Sequence, residues 1–192
     1  MGWLRARSVH AIASARRAVK VLLLTTDAYG GHGGIALYNR DLAEAIAAMP
    51  DVREVVVAAR VQRLEAGQIP TKIRYVTSAL GGKLRYVKAA LALAQEHFDL
   101  LICGHVNLLP LAAAVKRRLR VPLVLMVYGI DVWKTPGWLT RRCMRAVDAV
   151  WSISAITRDK MNAWAELSDD RYTLLPNAIH LDRYAPGAKP DY

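Results

Sequence analysis

The chain is short of cysteine: only Cys103 and Cys143 occur in its 192 residues. Two are too few for a disulfide framework, and no metal-type Cys/His spacing surrounds them, so both read as reduced, structural residues. Long apolar runs are also missing. The longest, Val21-Leu22-Leu23-Leu24, is far too short to cross a bilayer. Residues 1–19 carry basic charge without the apolar stretch that a secretory signal needs, so no such signal is expected there. Nothing resembles a nucleophile elbow or a Walker phosphate loop, and no nucleophile–base pair stands out, so no catalytic residue is assigned. No metal-ligand cluster is visible either, and neither metal nor cofactor is expected.

Acids are scarce, with 16 Asp and Glu against 27 Lys and Arg, a formal charge of +11. Arg5, Arg7, Arg16, Arg17 and Lys20 all precede the first acid, Asp27, so the N-terminus is the most basic stretch. Lys116-Arg117-Arg118 with Arg120, and Arg141, Arg142 and Arg145, form two further clusters. Such a balance suits an anionic partner. Aromatic residues are not interleaved with these clusters as stacking platforms, so nucleic acid is not expected. An acidic membrane surface remains, and Trp3, Leu4, Val9 and Ile12 fit a basic amphipathic helix lying on one, although a frayed extension fits the same residues.

What the sequence does have is ample apolar material, 54% of residues, in an ordered alternation. Strand-like runs at 21–26, 55–59, 73–76, 100–103, 123–127, 150–153 and 173–175 are separated by segments of helical period. Short strands apolar on both faces and separated by helices require a buried parallel sheet. The expected fold is a doubly wound, Rossmann-like α/β domain over residues 20–184. Residues 1–19 read as a basic extension and 185–192 as a linker leading toward a further domain.

In open α/β sheets, ligands bind beyond the carboxyl ends of the strands. The first such loop, Gly30-Gly31-His32-Gly33-Gly34, opens a helix and lets backbone N–H groups approach an anion. Gly31, Gly33 and Ala36 also fit the G-x-G-x-x-A form of the dinucleotide fingerprint, and Arg60 would then hold a 2′-phosphate. Against that, four residues separate the first strand from Gly31, a looser turn than the fingerprint uses. Phosphate or sugar contact, dinucleotide binding and a plain turn all remain open for this loop. Later strand ends supply Gly104-His105-Val106-Asn107, Tyr128-Gly129-Ile130-Asp131 and Ser152-Ile153-Ser154. His105 and Asp131 each fit either a substrate contact or a cap, and Ser154 fits an N-cap.

Taken in order, several segments resemble family 4 glycosyltransferases. Gly33-Gly34-Ile35-Ala36-Leu37-Tyr38-Asn39-Arg40-Asp41-Leu42-Ala43 resembles their glycine-rich loop and first helix. Residues 99–107 resemble their fourth-strand segment, and 152–158 with 174–179 the stretch closing their N-terminal domain. The resemblance implies the N-terminal, acceptor-side half of a GT-B enzyme, whose C-terminal domain binds most of a nucleotide-sugar donor. It implies metal-free transfer with retention at the anomeric carbon, to a glycan or lipid-linked acceptor, as in cell-envelope polysaccharide synthesis. The chain ends before the paired donor-binding glutamates of that second domain, so alone it is expected to be inactive. Gly33 and Gly34 inherit the approach to the donor phosphates and reacting sugar. With His32, His105, Asn107, Tyr128 and Asp131 they make up the candidate substrate-binding set. Tyr128 stands where the family often has histidine; a tyrosine donates a hydrogen bond but shuttles no proton near neutral pH. The expected location is the cytoplasm, peripheral at the cytoplasmic face of the membrane. An NADP-dependent oxidoreductase domain and a basic membrane-docking module are the alternative readings.

Overall fold

The computed structural model describes residues 18–178. The basic extension, with the amphipathic helix read as one alternative for it, and the linker therefore lie outside the described residues, apart from Ala18 and Val19. Strand β1 (Val19–Asp27) pairs in parallel with β2 (Val52–Val61) on one side and β4 (Leu100–Cys103) on the other. Adding β3 (Ile73–Tyr75), β5 (Leu123–Val127), β6 (Ala149–Ser152) and β7 (Tyr172–Leu174) gives one parallel sheet of order β3-β2-β1-β4-β5-β6-β7. All seven strands fall where the apolar runs place them. The reason is visible in β1 and β5, where Val21–Leu24 and Leu123–Val127 are buried on both faces by covering helices.

The covering is uneven. Helix α1 (Gly34–Ala48) packs on one face through Ala43, Ile46 and Ala47. On the other face lie α2 (Lys83–Leu93), α3 (Leu109–Leu119), the short α4 (Trp138–Cys143) and α5 (Ala155–Ala165), around a larger core that includes Tyr86, Phe98, Leu101 and Leu125. Ser154 caps α5 by accepting from the Thr157 N–H.

The helices sit where periodicity puts them, but one presents the other side. Of the apolar residues at helical spacing in this segment, Leu84, Val87 and Leu91 face outward and Ala94 is buried, while Tyr86, Ala89, Ala90 and Leu93 of α2 face the sheet. Small alanines let the helix approach the strands closely, so burial follows volume and fit rather than hydrophobicity alone.

At the amino ends of β1–β3, Lys20 bridges Glu54 and Glu96, each at 2.8 Å, and Arg74 reaches the same two carboxylates. Both glutamates are held below the usual carboxylate range, the hydrogen bonds from these two cations outweighing the opposing effect of burial. This closed ion network fastens one edge of the sheet and leaves the opposite, carboxyl edge to the loops.

Candidate active site

The strand order reverses direction beside β1, so the crevice between the loops after β1 and β4 is the switch point where such sheets bind ligands. Six residues, Ala28–Gly33, connect β1 to α1, and their two halves are built differently. Gly30, at φ +72°, accepts from the N–H groups of Arg63 and Leu64 at 3.2 and 2.9 Å. A Cβ on Gly30 would stand 2.2 Å from the Leu64 carbonyl oxygen, and one on Gly31 2.2 Å from Asp27 Oδ1. Gly30 is demanded by the backbone it packs against, and a side chain at Gly31 would have to push the Asp27 carboxyl aside. Gly33 and Gly34 meet no such wall: no heavy atom lies within 4 Å of the Cβ position of either. Gly33 is the N-cap of α1 at φ 120°, ψ 161°, a backbone region essentially restricted to glycine. No side chain caps α1, and no acid occupies its first turn, so its leading N–H groups are left to water or a ligand.

In front of this open half lies a cleft of about 420 Å³, walled by Asp27, His32, Gly33, Gly34, Arg60 and His105, with Arg63 alongside. His105 does two jobs. Its Nδ1 accepts from the Asn107 N–H at 3.1 Å and caps the turn after β4, so the neutral ring carries its proton on Nε2. Burial, and then the Arg60 charge, push the imidazole pKa down and keep the ring neutral. The cleft thus holds two guanidinium groups, a neutral imidazole donor and an uncapped helix start, a set suited to an anion with hydroxyls attached.

Asp27 is the acid in this wall. Its Oδ1 is buried and has no hydrogen-bond partner among the described residues. Burial raises its pKa, opposed by the Ala28 N–H and the charges of Arg63 and His32.

Of the candidates read from the sequence, the structure brings His32, Gly33, Gly34 and His105 together on the cleft wall. Asn107 is exposed and joins them through its backbone N–H to His105. Tyr128 lies behind the wall. Its hydroxyl donates to Asn39 Oδ1 at 2.5 Å, and the Asn39 amide donates onward to Thr25 Oγ1 and the Asp27 carbonyl oxygen. Its ring meets Tyr38 edge to face, with centroids 5.5 Å apart. Tyr128 therefore ties the loop after β5 to α1 and to the end of β1, and burial raises its phenol well above the usual value. Asp131 closes that loop by accepting from the Tyr128 N–H at 3.1 Å. Burial pushes its carboxyl up to about 6, with loop backbone N–H groups opposing the rise.

Asp27 and Arg63 were missed in the sequence. Each sits at or just beyond the carboxyl end of β1 or β2, so proximity to the first glycine loop was the available signal. The six-residue connection also departs from the tight turn of the dinucleotide fingerprint, because Gly31 lies four positions past the end of β1. Among the described residues no group of three or more His, Cys, Asp or Glu is placed to hold a metal ion.

No curated protein matches the chain by sequence. Among solved structures, the lipopolysaccharide outer core galactosyltransferase WaaB in its apo form superposes with a TM-score of 0.61 at 14% identity. That match covers 85% of this chain and 47% of WaaB. Anabaena Alr3699/HepE in complex with UDP superposes at 0.60 with 15% identity, covering 88% of this chain and 47% of its own. The HepE complex with UDP-glucose gives 0.57 at 18%, covering 88% of this chain and 46% of HepE. This chain thus spans about half the length of these proteins, and its sheet matches the N-terminal half of the GT-B arrangement. The profile for Glycosyltransferase Family 4 matches residues 32–183, from the glycine turn through the last strand and beyond. The chain belongs to Glycosyltransferase Family 4.

Proposed function

We propose that this domain forms the acceptor side of a retaining hexosyltransferase cleft and contributes Gly33, Gly34 and His105 to the contact with a nucleotide-sugar donor. One observation carries the reading: the open half of the turn, where two glycines face free space at an uncapped helix start. Alanine at the first position of α1 would favour the helix, so Gly34 is a local cost in stability that no packing requires. What the bare backbone provides there is room for phosphate oxygens to reach the N–H groups. The HepE complexes with UDP and UDP-glucose support a uridine-based donor for a protein of this fold.

In the reaction, the bond from the anomeric carbon to the diphosphate oxygen breaks, and the nucleoside diphosphate leaves with the electron pair. An acceptor hydroxyl oxygen forms the new bond on the same face of the sugar and gives its proton to the leaving diphosphate. Charge develops on the leaving diphosphate, where fixed N–H dipoles and the arginines act most strongly. The reading places most donor contacts on a second domain, so the isolated chain has negligible turnover, since half a cleft cannot position both substrates. Among the described residues no helix is long and apolar enough to cross a membrane. The reading puts the enzyme in the cytoplasm, held peripherally at the membrane, with a glycan or lipid-linked acceptor.

The test joins the chain to a donor-binding domain and supplies UDP-glucose with a membrane glycolipid extract. Product should appear with the anomeric configuration of the donor, read from the proton coupling by NMR. Inverted product would overturn retention. Absence of transfer together with low-micromolar NADPH binding would overturn the enzyme class in favour of the oxidoreductase.

A further inference from the structure

A second depression, of about 810 Å³, lies where the chain leads into β6 and β7, at the amino edge of the sheet and away from the glycine cleft. Arg141, Arg142, Arg145 and Arg171 line it, and Glu166 is the one carboxylate among its described lining residues. At its rim Trp138 is 75% exposed, and Leu139 beside it is also exposed. On the same side of the sheet, α2 turns Leu84, 80% exposed, with Val87 and Leu91 to the outside. The charges on α2 are all cationic: Lys83, Arg85 and Lys88. Among the described residues α1, on the other side of the sheet, has no such charge excess, carrying one arginine against an aspartate and a glutamate.

We infer that the outer side of the α2–α4 layer docks on an anionic phospholipid bilayer, with Trp138 entering the headgroup region and the arginine depression receiving a lipid phosphate. This deepens the peripheral attachment proposed above by saying which surface makes it. Exposed indole and aliphatic side chains next to guanidinium groups suit a boundary that is apolar below and anionic above. A free soluble anion would satisfy the arginines and leave Trp138, Leu139, Leu84 and Leu91 unexplained. A bilayer accounts for both sets, and for the cationic character that α2 shares with the depression.

The full chain should co-sediment with phosphatidylcholine vesicles containing phosphatidylglycerol, and not with phosphatidylcholine alone. Arg141→Gln with Arg142→Gln should weaken partitioning at least about tenfold, because each cation near an anionic surface contributes roughly 1 kcal/mol. Arg53→Gln with Lys72→Gln, which removes equal charge near the turn after α1, should weaken it far less. Trp138→Ala should also weaken binding while leaving the far-ultraviolet spectrum and melting temperature unchanged, since this indole is exposed. Equal losses in the two charge pairs would reduce the effect to net charge and overturn the inference. Undiminished binding by the Arg141/Arg142 and Trp138 variants would assign attachment to another surface and likewise overturn it. Displacement by millimolar glycerol phosphate would mark a small-anion site and overturn the bilayer. Failure of the parent chain to bind any vesicle would overturn attachment altogether, while sugar transfer, assayed separately, would still decide the enzyme class.

Discussion

Gly30 and Gly31 differ from Gly33 and Gly34 in what stands where a side chain would be. The first pair faces the Leu64 carbonyl and the Asp27 carboxyl at 2.2 Å; the second pair faces nothing within 4 Å. One stretch of sequence, rich in a single residue type, therefore holds two unlike devices. The first half allows a turn to fold tightly against its neighbours. The second leaves a helix start bare toward a cleft. A glycine-rich motif is informative about ligands only after the glycines that packing demands have been set aside.

The division predicts a graded set of effects. Gly30→Ala should be the most damaging, because a clash with backbone adds to an unfavourable positive φ. A loss of about 3 kcal/mol is expected, lowering the melting temperature by roughly 6–12 °C for a chain of this size. A melting temperature within about 1 °C of the parent would show that the turn yields and would erase the contrast between its halves.

Tyr128→Phe probes the support beneath the turn. It strands the Asn39 Oδ1 acceptor in the interior and should cost about 1–3 kcal/mol in denaturant unfolding. A neutral substitution would mean that Asn39 finds another donor and that the loop after β5 does not hold the turn.

Gly33→Ala should fall between the halves, costing about 1–2 kcal/mol from backbone strain alone. A loss as large as that of Gly30→Ala would reveal a steric wall on the open side.

The smallest expected effect is a pH dependence. The folded-state pKa of His105 is depressed, so its neutral ring belongs to the native cleft. The associated stability is complete above the unfolded value of about 6.5 and declines as pH falls below it toward the folded value. The parent should therefore lose more melting temperature between about pH 7 and pH 5 than His105→Asn, which retains a capping side chain. Parallel profiles would place the imidazole in water rather than in the wall.

These contrasts mark what the sequence could and could not show. The central strands were legible because a buried parallel strand is apolar on both faces, as Val55–Ala59 and Leu123–Val127 are, whereas the edge strand β7 was legible from its short run alone, since Thr173 and Leu174 are exposed. The helices were legible in position, but α2 misleads about its face: Leu84 and Leu91 outrank Ala89 and Ala90 in hydrophobicity, yet the alanines, with Tyr86 and Leu93, are what meets the strands. The cleft was legible through the ends of β1 and β4. Its division into a packed and an open half was not, because Gly30 is constrained by Leu64, far along the chain, and Gly31 by a carboxylate whose orientation only the fold sets. The role of Tyr128 was hidden for the same reason, since its partner Asn39 is 89 positions away.

The most direct test compares Gly34→Ala with its parent in a two-domain form carrying the donor-binding half, measuring sugar turnover and melting temperature on the same preparations. Helix propensity and the open space around Gly34 predict a melting temperature that is unchanged or slightly higher. If donor phosphates approach the bare backbone there, turnover falls at least about tenfold, equivalent to roughly 1.4 kcal/mol of barrier. A variant that keeps full specific activity would contradict the account and remove the open half of the turn from the active site.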